Sequence, residues 1–83
     1  MSNSKNKGTG SPLDANVLLD MYYLEMRSAI LETAAALDRI ESATGGIEAF
    51  SDERIRKIFK GCEIMKNSSK TRSEDFLNLL SKE

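Results

Sequence analysis

The chain of 83 residues has no histidine, no tryptophan and a single cysteine, Cys62. One cysteine cannot form a disulfide within the chain, and without histidine neither a Ser-His-Asp nor a Cys-His mechanism can be assembled. A zinc site would have to use the single thiolate together with carboxylates. We therefore predict that the protein is not an enzyme, with no catalytic residues, no metal ligands and no cofactor.

The chain also lacks a charge imbalance and a long hydrophobic run. Its 12 basic and 13 acidic residues leave a net charge of -1, so no overall charge attracts it to nucleic acid or to a membrane. Its apolar runs are far shorter than a membrane span, and no apolar run of the secretory type follows Lys5 and Lys7. A lone thiol is typical of a reducing compartment, so we predict a cytoplasmic protein without membrane contact.

The first twelve residues, MSNSKNKGTGSP, contain nothing apolar after Met1 that a core would bury. Such a segment cannot offset its chain entropy, so we predict a disordered tail over residues 1–12. Residues 13–83 are then expected to form a single small helical domain.

The segment after this tail is free of glycine and proline up to Ala43 and is rich in strong helix formers. Asp14 or Asn16 can cap a helix of about 28 residues, which Gly45 and Gly46 would end. Apolar residues recur along it at alternating steps of three and four, with Thr33 occupying one slot. We name this set the first stripe: Leu19, Tyr23, Met26, Ile30, Thr33, Leu37 and Ile40.

A second helix is predicted from Ser51 as N-cap to Asn67, with Phe50 and Ile55 packing across its first turn. Acid-first pairs, Asp52 with Arg56 and Glu53 with Lys57, would support it. Its predicted apolar face contains Ile55, Ile58, Phe59, Cys62 and Met65.

Two residues inside this second helix carry further predictions. Cys62 lies on the apolar face, which predicts a buried and unreactive thiol. Gly61 costs about 1 kcal/mol against alanine in a helix. It is either simply tolerated or marks a close approach to the alanine-rich part of the first helix.

A short third helix is predicted to end near Lys82, beginning at Thr71, which has capping-box spacing to Glu74, or at Ser73. No alternating pattern predicts a strand. The predicted fold is all-α: a long N-terminal helix and two shorter helices, arranged as an antiparallel hairpin or a three-helix bundle.

The first helix carries a further apolar set, which lies roughly 120–200° around the helix from the first stripe. We name it the second stripe: Val17, Met21, Leu24, Leu31 and Ala35. A two-helix hairpin would leave it uncovered, so either the third helix or another subunit must cover it. Exposed apolar surface of this kind is typical of a binding site, and we predict that the second stripe is an interaction surface.

Charge is unevenly distributed along the chain. Residues 13–46 carry six acids and two bases, whereas residues 54–72 carry seven bases and one acid. Within the basic segment, Arg56, Lys57 and Lys60 are predicted to cluster opposite the apolar face. This basic patch can bind phosphates, or it can complement the acidic first helix of the same or another chain.

The sequence LDMYYLEMRSAILETAAALDRIE, from Leu19 to Glu41, is followed by DERIRKIFKGCEIM and TRSEDFLNLLS. This pattern resembles a group of small bacterial helical proteins with a Tyr-rich "R…LDR(I/V)" first helix and a shorter second half ending in an E…LL segment. The resemblance covers roughly residues 19–81. It implies an all-helical fold and no site residues.

Two functional hypotheses follow. The first is a small helical protein–protein interaction or assembly module that associates with itself, most simply as a homodimer, or with another protein. The alternative is a nucleic-acid-associated accessory protein that uses the basic region 54–72.

Overall fold

The computed structural model describes residues 13–81 of the chain. Regular structure in this part consists of four helices, without a strand: α1 (Ala15–Ser42), α2 (Gly46–Ala49), α3 (Glu53–Asn67) and α4 (Arg72–Leu80). The predicted all-α class is therefore confirmed. The long N-terminal helix and the two shorter helices are present, and the one-turn helix α2 is an addition that the sequence did not predict.

The chain divides into two compact units, one up to Ala36 and the other from Leu37 onward, with α1 continuing through the division. The single domain, the hairpin and the three-helix bundle stay predictions. The predicted tail over residues 1–12 lies outside the described residues, as does the predicted helix end at Lys82.

Both ends of α1 follow from local sequence. Asp14 caps the start, because its Oδ1 accepts a hydrogen bond from the backbone N–H of Val17 at 3.1 Å. At the other end the helix stops at Ser42, and Gly45 adopts the left-handed conformation with φ of 84°. Gly46 is buried, and a Cβ there would collide with the carbonyl oxygen of Glu41. The predicted glycine stop is thus confirmed.

The start of α3 differs from the prediction by one residue. Asp52, and not Ser51, is the N-cap, with its carboxylate accepting the backbone N–H of Arg54 at 2.8 Å. The turn after α2 takes up Ser51, whose backbone N–H donates to the carbonyl of Glu48. With the cap shifted, Phe50 no longer holds the staple position, and its ring lies instead 6.3 Å from that of Phe59.

The ion pairs on α3 also depart from the predicted pattern. Asp52 pairs with Arg54 at 3.0 Å, so the predicted pair of Asp52 with Arg56 is wrong. Arg56 pairs with Glu53 at 2.7 Å instead. The shift of the cap accounts for this, because Asp52 now turns toward the backbone of the first helical turn.

Helices α3 and α4 pack through Gly61, where a Cβ would lie only 2.5 Å from Cε1 of Phe76. Of the two interpretations of Gly61, close approach is therefore correct, but the neighbour is the phenyl ring of α4. Since α4 packs on the face that contains Gly61, the adjacent Cys62 is left exposed. The prediction of a buried thiol is wrong for this reason.

A polar cluster fixes the turn between α3 and α4. The hydroxyls of Ser68 and Thr71 donate to Oδ2 of Asp75 at 2.6 and 3.0 Å. Thr71 is the N-cap of α4, as predicted, but its side chain makes no capping hydrogen bond. The predicted capping box with Glu74 is wrong, because the Thr71 hydroxyl is engaged by Asp75. Arg72 Nε donates to the carbonyl of Met65, which satisfies one of the free acceptors at the end of α3.

Candidate interaction surfaces

The most conspicuous surface is α1 itself. None of its 28 residues is buried, and 11 large hydrophobic side chains along it are exposed. Soluble monomers rarely show contiguous apolar surface of this extent, and helices in proteins owe most of their stability to packing of an apolar face. An apolar surface therefore remains available along α1 for a partner.

The second stripe, predicted from the sequence as an interaction surface, is accessible for most of its length. Leu24 and Leu31 are the most exposed members at 63% and 61%, and Val17 and Met21 are exposed too. Ala35, at the far end, is half-buried. These five residues share one side of α1 as expected, and their role in binding stays a prediction.

The first stripe is exposed as well. Tyr23 and Ile30 are 53% and 62% exposed, and Leu19 and Met26 are exposed to a similar degree. Only Leu37, near the C-terminal end of α1, is half-buried. The sequence pattern predicted an uncovered second stripe, but it gave no indication that the first stripe would be equally accessible.

Thr33 is the one polar residue in the first stripe. Its Oγ1 donates a hydrogen bond of 2.9 Å to the carbonyl oxygen of Ala29, one turn earlier on the same helix. Because the hydroxyl donor is already satisfied, this slot could be covered by a partner without leaving an unpaired donor. Every position of the first stripe could therefore be buried against a partner.

The predicted basic patch is smaller than expected, because only two of its three residues are exposed. The side chains of Arg56 and Lys60 are 71% and 60% exposed, whereas Lys57 is only 8% exposed. Lys57 is therefore not part of this surface, and its placement there is a correction to the sequence prediction. It lies four residues before Gly61, on the side of α3 that receives α4, which explains its burial.

The exposed cations of α3 are accompanied by carboxylates. Arg56 pairs with Glu53, and Lys60 Nζ lies 3.6 Å from the carboxylate of Glu63. Such exposed pairs contribute little to stability, but they lower the local positive charge that a phosphate would meet. Asp52 similarly neutralises Arg54, and the Arg54 guanidinium holds the pKa of the Asp52 carboxyl at about 2, from an ordinary value of 3.8.

An open cleft of about 330 Å³ lies beside the tilted pair of Phe50 and Phe59. Ile55, Arg56, Lys60 and Glu63 complete its lining. The sequence did not predict this cleft, because Phe50 was expected to pack on Ile55 across the first turn of the helix. The available signal was the nine-residue spacing of two phenylalanines on either side of a helix start, which is not specific.

Comparison of the chain with family models, with curated proteins and with solved structures finds no match. In the part of the chain that the structure describes, no helix is long and apolar enough to cross a membrane. Within the same residues, no three metal-binding side chains come together as a group that could hold a metal ion.

Proposed function

We propose that this protein is a small helical protein–protein interaction module that associates with itself through α1. The observation that carries the proposal is that no residue of the 28-residue helix α1 is buried, while large apolar side chains are exposed on two of its sides. A partner that covers either side would stabilise α1 by removing apolar surface from water, at roughly 25 cal/mol per Å².

A second copy of the chain is a partner that meets this need. The described part of the chain is of a size at which one core rarely supplies more than about 3–5 kcal/mol, and none of its large hydrophobic residues is buried. Joining two long helices creates a shared apolar core that a single copy lacks. Folding of α1 would then depend on association, and hence on protein concentration.

The test is to measure molar mass and helical circular dichroism together over a wide range of protein concentration. We expect the mass to rise from 9.2 kDa to a small multiple, and the helical signal to rise with it, because association stabilises α1. A 9.2 kDa species whose helical signal is the same at every concentration would overturn the proposal.

The alternative role, nucleic-acid association through residues 54–72, has less support. Arg54, Arg56 and Lys60 each lie beside a carboxylate, and Lys57 is withdrawn from the surface. Binding to generic duplex DNA at several salt concentrations distinguishes the two roles, since phosphate contacts weaken steeply as salt rises. We expect no binding with that steep salt dependence.

A further inference from the structure

We infer that the first stripe, and not the second, is the seam along which two copies of α1 pair, as a parallel, in-register two-stranded coiled coil. This inference rests on the proposed self-association and adds to it the surface, the partner and the orientation. Exposure does not decide between the stripes, because both are accessible. Spacing and hydrogen bonding decide between the two stripes, and flanking charge decides the orientation of the pair.

The spacing of the first stripe is that of a coiled coil. Its members stand at positions 19, 23, 26, 30, 33, 37 and 40, so that steps of four and three alternate without interruption over three heptads. This is the pattern that keeps one seam facing a partner helix as the two helices supercoil. Thr33 fits into it because its hydroxyl already bonds to the carbonyl of Ala29.

The second stripe does not sustain such a pattern. Its central slot is held by Ser28, and the slot that would follow Ala35 is Asp38. A seam there would have to bury a carboxylate, which costs several kcal/mol unless the charge is paired. The second stripe therefore suits a shorter contact and not a three-heptad seam.

Flanking residues along the first stripe favour the parallel orientation. Each heptad of the first stripe begins with one seam residue, namely Tyr23, Ile30 or Leu37. In a parallel pair, the residue just before each of these faces the residue five positions later on the second copy. Tyr22 then faces Arg27 of the second copy, Ala29 faces Ala34, and Ala36 faces Glu41. No like charges meet, and the small alanine side chains allow close approach.

An antiparallel pair is less favourable along the same stripe. Residues on the same flank then face each other, and the registers that overlap most of α1 place Arg27 opposite Arg27, or Asp20 opposite Glu41, of the second copy. Like charges across a seam lower the stability of the pair. Along the second stripe, parallel pairing would place Asp20 opposite Glu25 of the second copy but also Arg27 opposite Glu32, so flanking charge does not count against that stripe.

The seam is tested with two matched double variants. Tyr23→Glu with Ile30→Glu places two carboxylates on the first stripe, and Leu24→Glu with Leu31→Glu places two on the second. Both pairs are seven residues apart on α1, and all four side chains are between 53% and 63% exposed. We expect the first pair to raise the dimer dissociation constant by about 100-fold or more and the second to change it by less than about threefold.

Orientation is tested by cysteine cross-linking in the otherwise native chain with Cys62→Ser. Asn16→Cys places a thiol one heptad before Tyr23 in the seam, whereas Val17→Cys places one outside it. In a parallel, in-register pair the two copies of the first thiol are adjacent, and we expect mild oxidation to give a disulfide-linked dimer from Asn16→Cys much faster than from Val17→Cys. An antiparallel pair would separate the same thiols by most of the length of α1.

The outcomes separate the inference from the proposed function. If the wild-type chain stays monomeric with a constant helical signal, both the proposed self-association and the seam are wrong. If the wild type self-associates, but Leu24→Glu with Leu31→Glu abolishes association and Tyr23→Glu with Ile30→Glu does not, only the assignment of the seam to the first stripe is wrong. Equal rates of cross-linking for Asn16→Cys and Val17→Cys would contradict the parallel, in-register arrangement.

Discussion

The two units of this chain stabilise helices in different ways. The unit from Leu37 onward joins short helices through specific local contacts: a phenyl ring on a glycine, two hydroxyls on a carboxylate, and an aspartate at a helix start. In the unit up to Ala36, α1 has strong helix formers and exposed apolar side chains but no buried residue. Local contacts within one chain therefore stabilise the short helices, whereas α1 has no buried residue to add to its helix propensity.

Phe76→Ala gives the largest effect expected of a change within one chain. The half-buried ring packs on Gly61, so we expect its removal to lower the free energy of unfolding by about 2 kcal/mol, less than for a fully buried phenylalanine. Denaturant unfolding followed by circular dichroism measures this. The matched control is Leu77→Ala on the same helix, where the side chain is 64% exposed and the change should stay within about 0.5 kcal/mol. Equal effects of the two variants would contradict the observed α3–α4 packing.

Much of the fold could be predicted from the sequence, because helix ends depend on local chemistry. Gly45 and the cap at Asp14 define α1, and Asn67 ends α3 as expected. The errors concern which face of a helix is covered. Apolar periodicity favoured the face with Cys62, but the ring of Phe76 needs the space that Gly61 leaves, so the neighbouring face was covered instead.

The candidate surface was partly predictable for a related reason. Periodicity places Leu24 and Leu31 on one side of α1, and the structure agrees. Apolar periodicity does not predict whether a stripe is covered within its own chain, because coverage depends on how well another part of the chain packs against it. Lys57 shows the same limit in the basic patch, since its burial follows from the position of α4 and not from its own residue type.

Phe50→Ala probes the aromatic pair at the start of α3. The Phe50 ring lies 6.3 Å from that of Phe59, and pairs of this kind contribute about 0.5–1.5 kcal/mol beyond the area they bury. We expect a loss of about 1 kcal/mol in the free energy of unfolding. Ile47→Ala is the control, because that side chain is 87% exposed and should contribute almost nothing. A loss for Phe50→Ala as small as that of the control would show that the pair does not stabilise the unit.

Gly61→Ala tests the close approach directly, and its sign is the informative quantity. In an open helix this change stabilises by about 1 kcal/mol, but here the new Cβ meets the ring of Phe76, and overpacking costs about 1–3 kcal/mol. We expect a net loss of about 1 kcal/mol, the middle of the range from about 0 to 2 kcal/mol that these two effects allow. In a Phe76→Ala background the ring is absent, so the same change should stabilise, and a double-mutant cycle measures the reversal. Stabilisation in both backgrounds would mean that the ring does not approach Gly61 closely.

The smallest expected effect is the pH dependence contributed by Asp52. Hydrogen bonds from the Arg54 guanidinium and from the Arg54 backbone N–H hold the pKa of Asp52 at about 2, below its ordinary value of 3.8. The folded state therefore binds this proton less readily than the unfolded state. The contribution of Asp52 to stability is fully present above the unfolded pKa of 3.8, and it is lost as the pH falls through the folded pKa of about 2. The side chains of Arg54 and Asp52 are 85% and 39% exposed, so added salt should reduce the effect.

Asp52→Asn isolates this contribution from the other carboxyl groups of the chain. Asparagine is also a good N-cap, so the variant keeps an acceptor for the Arg54 backbone N–H. It loses the titrating charge and the second oxygen, which accepts from Nη2 of Arg54. We expect the wild type to have the higher unfolding midpoint at neutral pH, and the difference between the two proteins to shrink as the pH is lowered from about 4 through about 2. A carboxyl chemical-shift titration of Asp52 by NMR gives the folded pKa independently. A difference in midpoint that stays constant through this pH range, or an Asp52 pKa near 3.8 in the folded protein, would show that the Arg54 contacts do not persist in solution. The start of α3 would then rely on the cap alone.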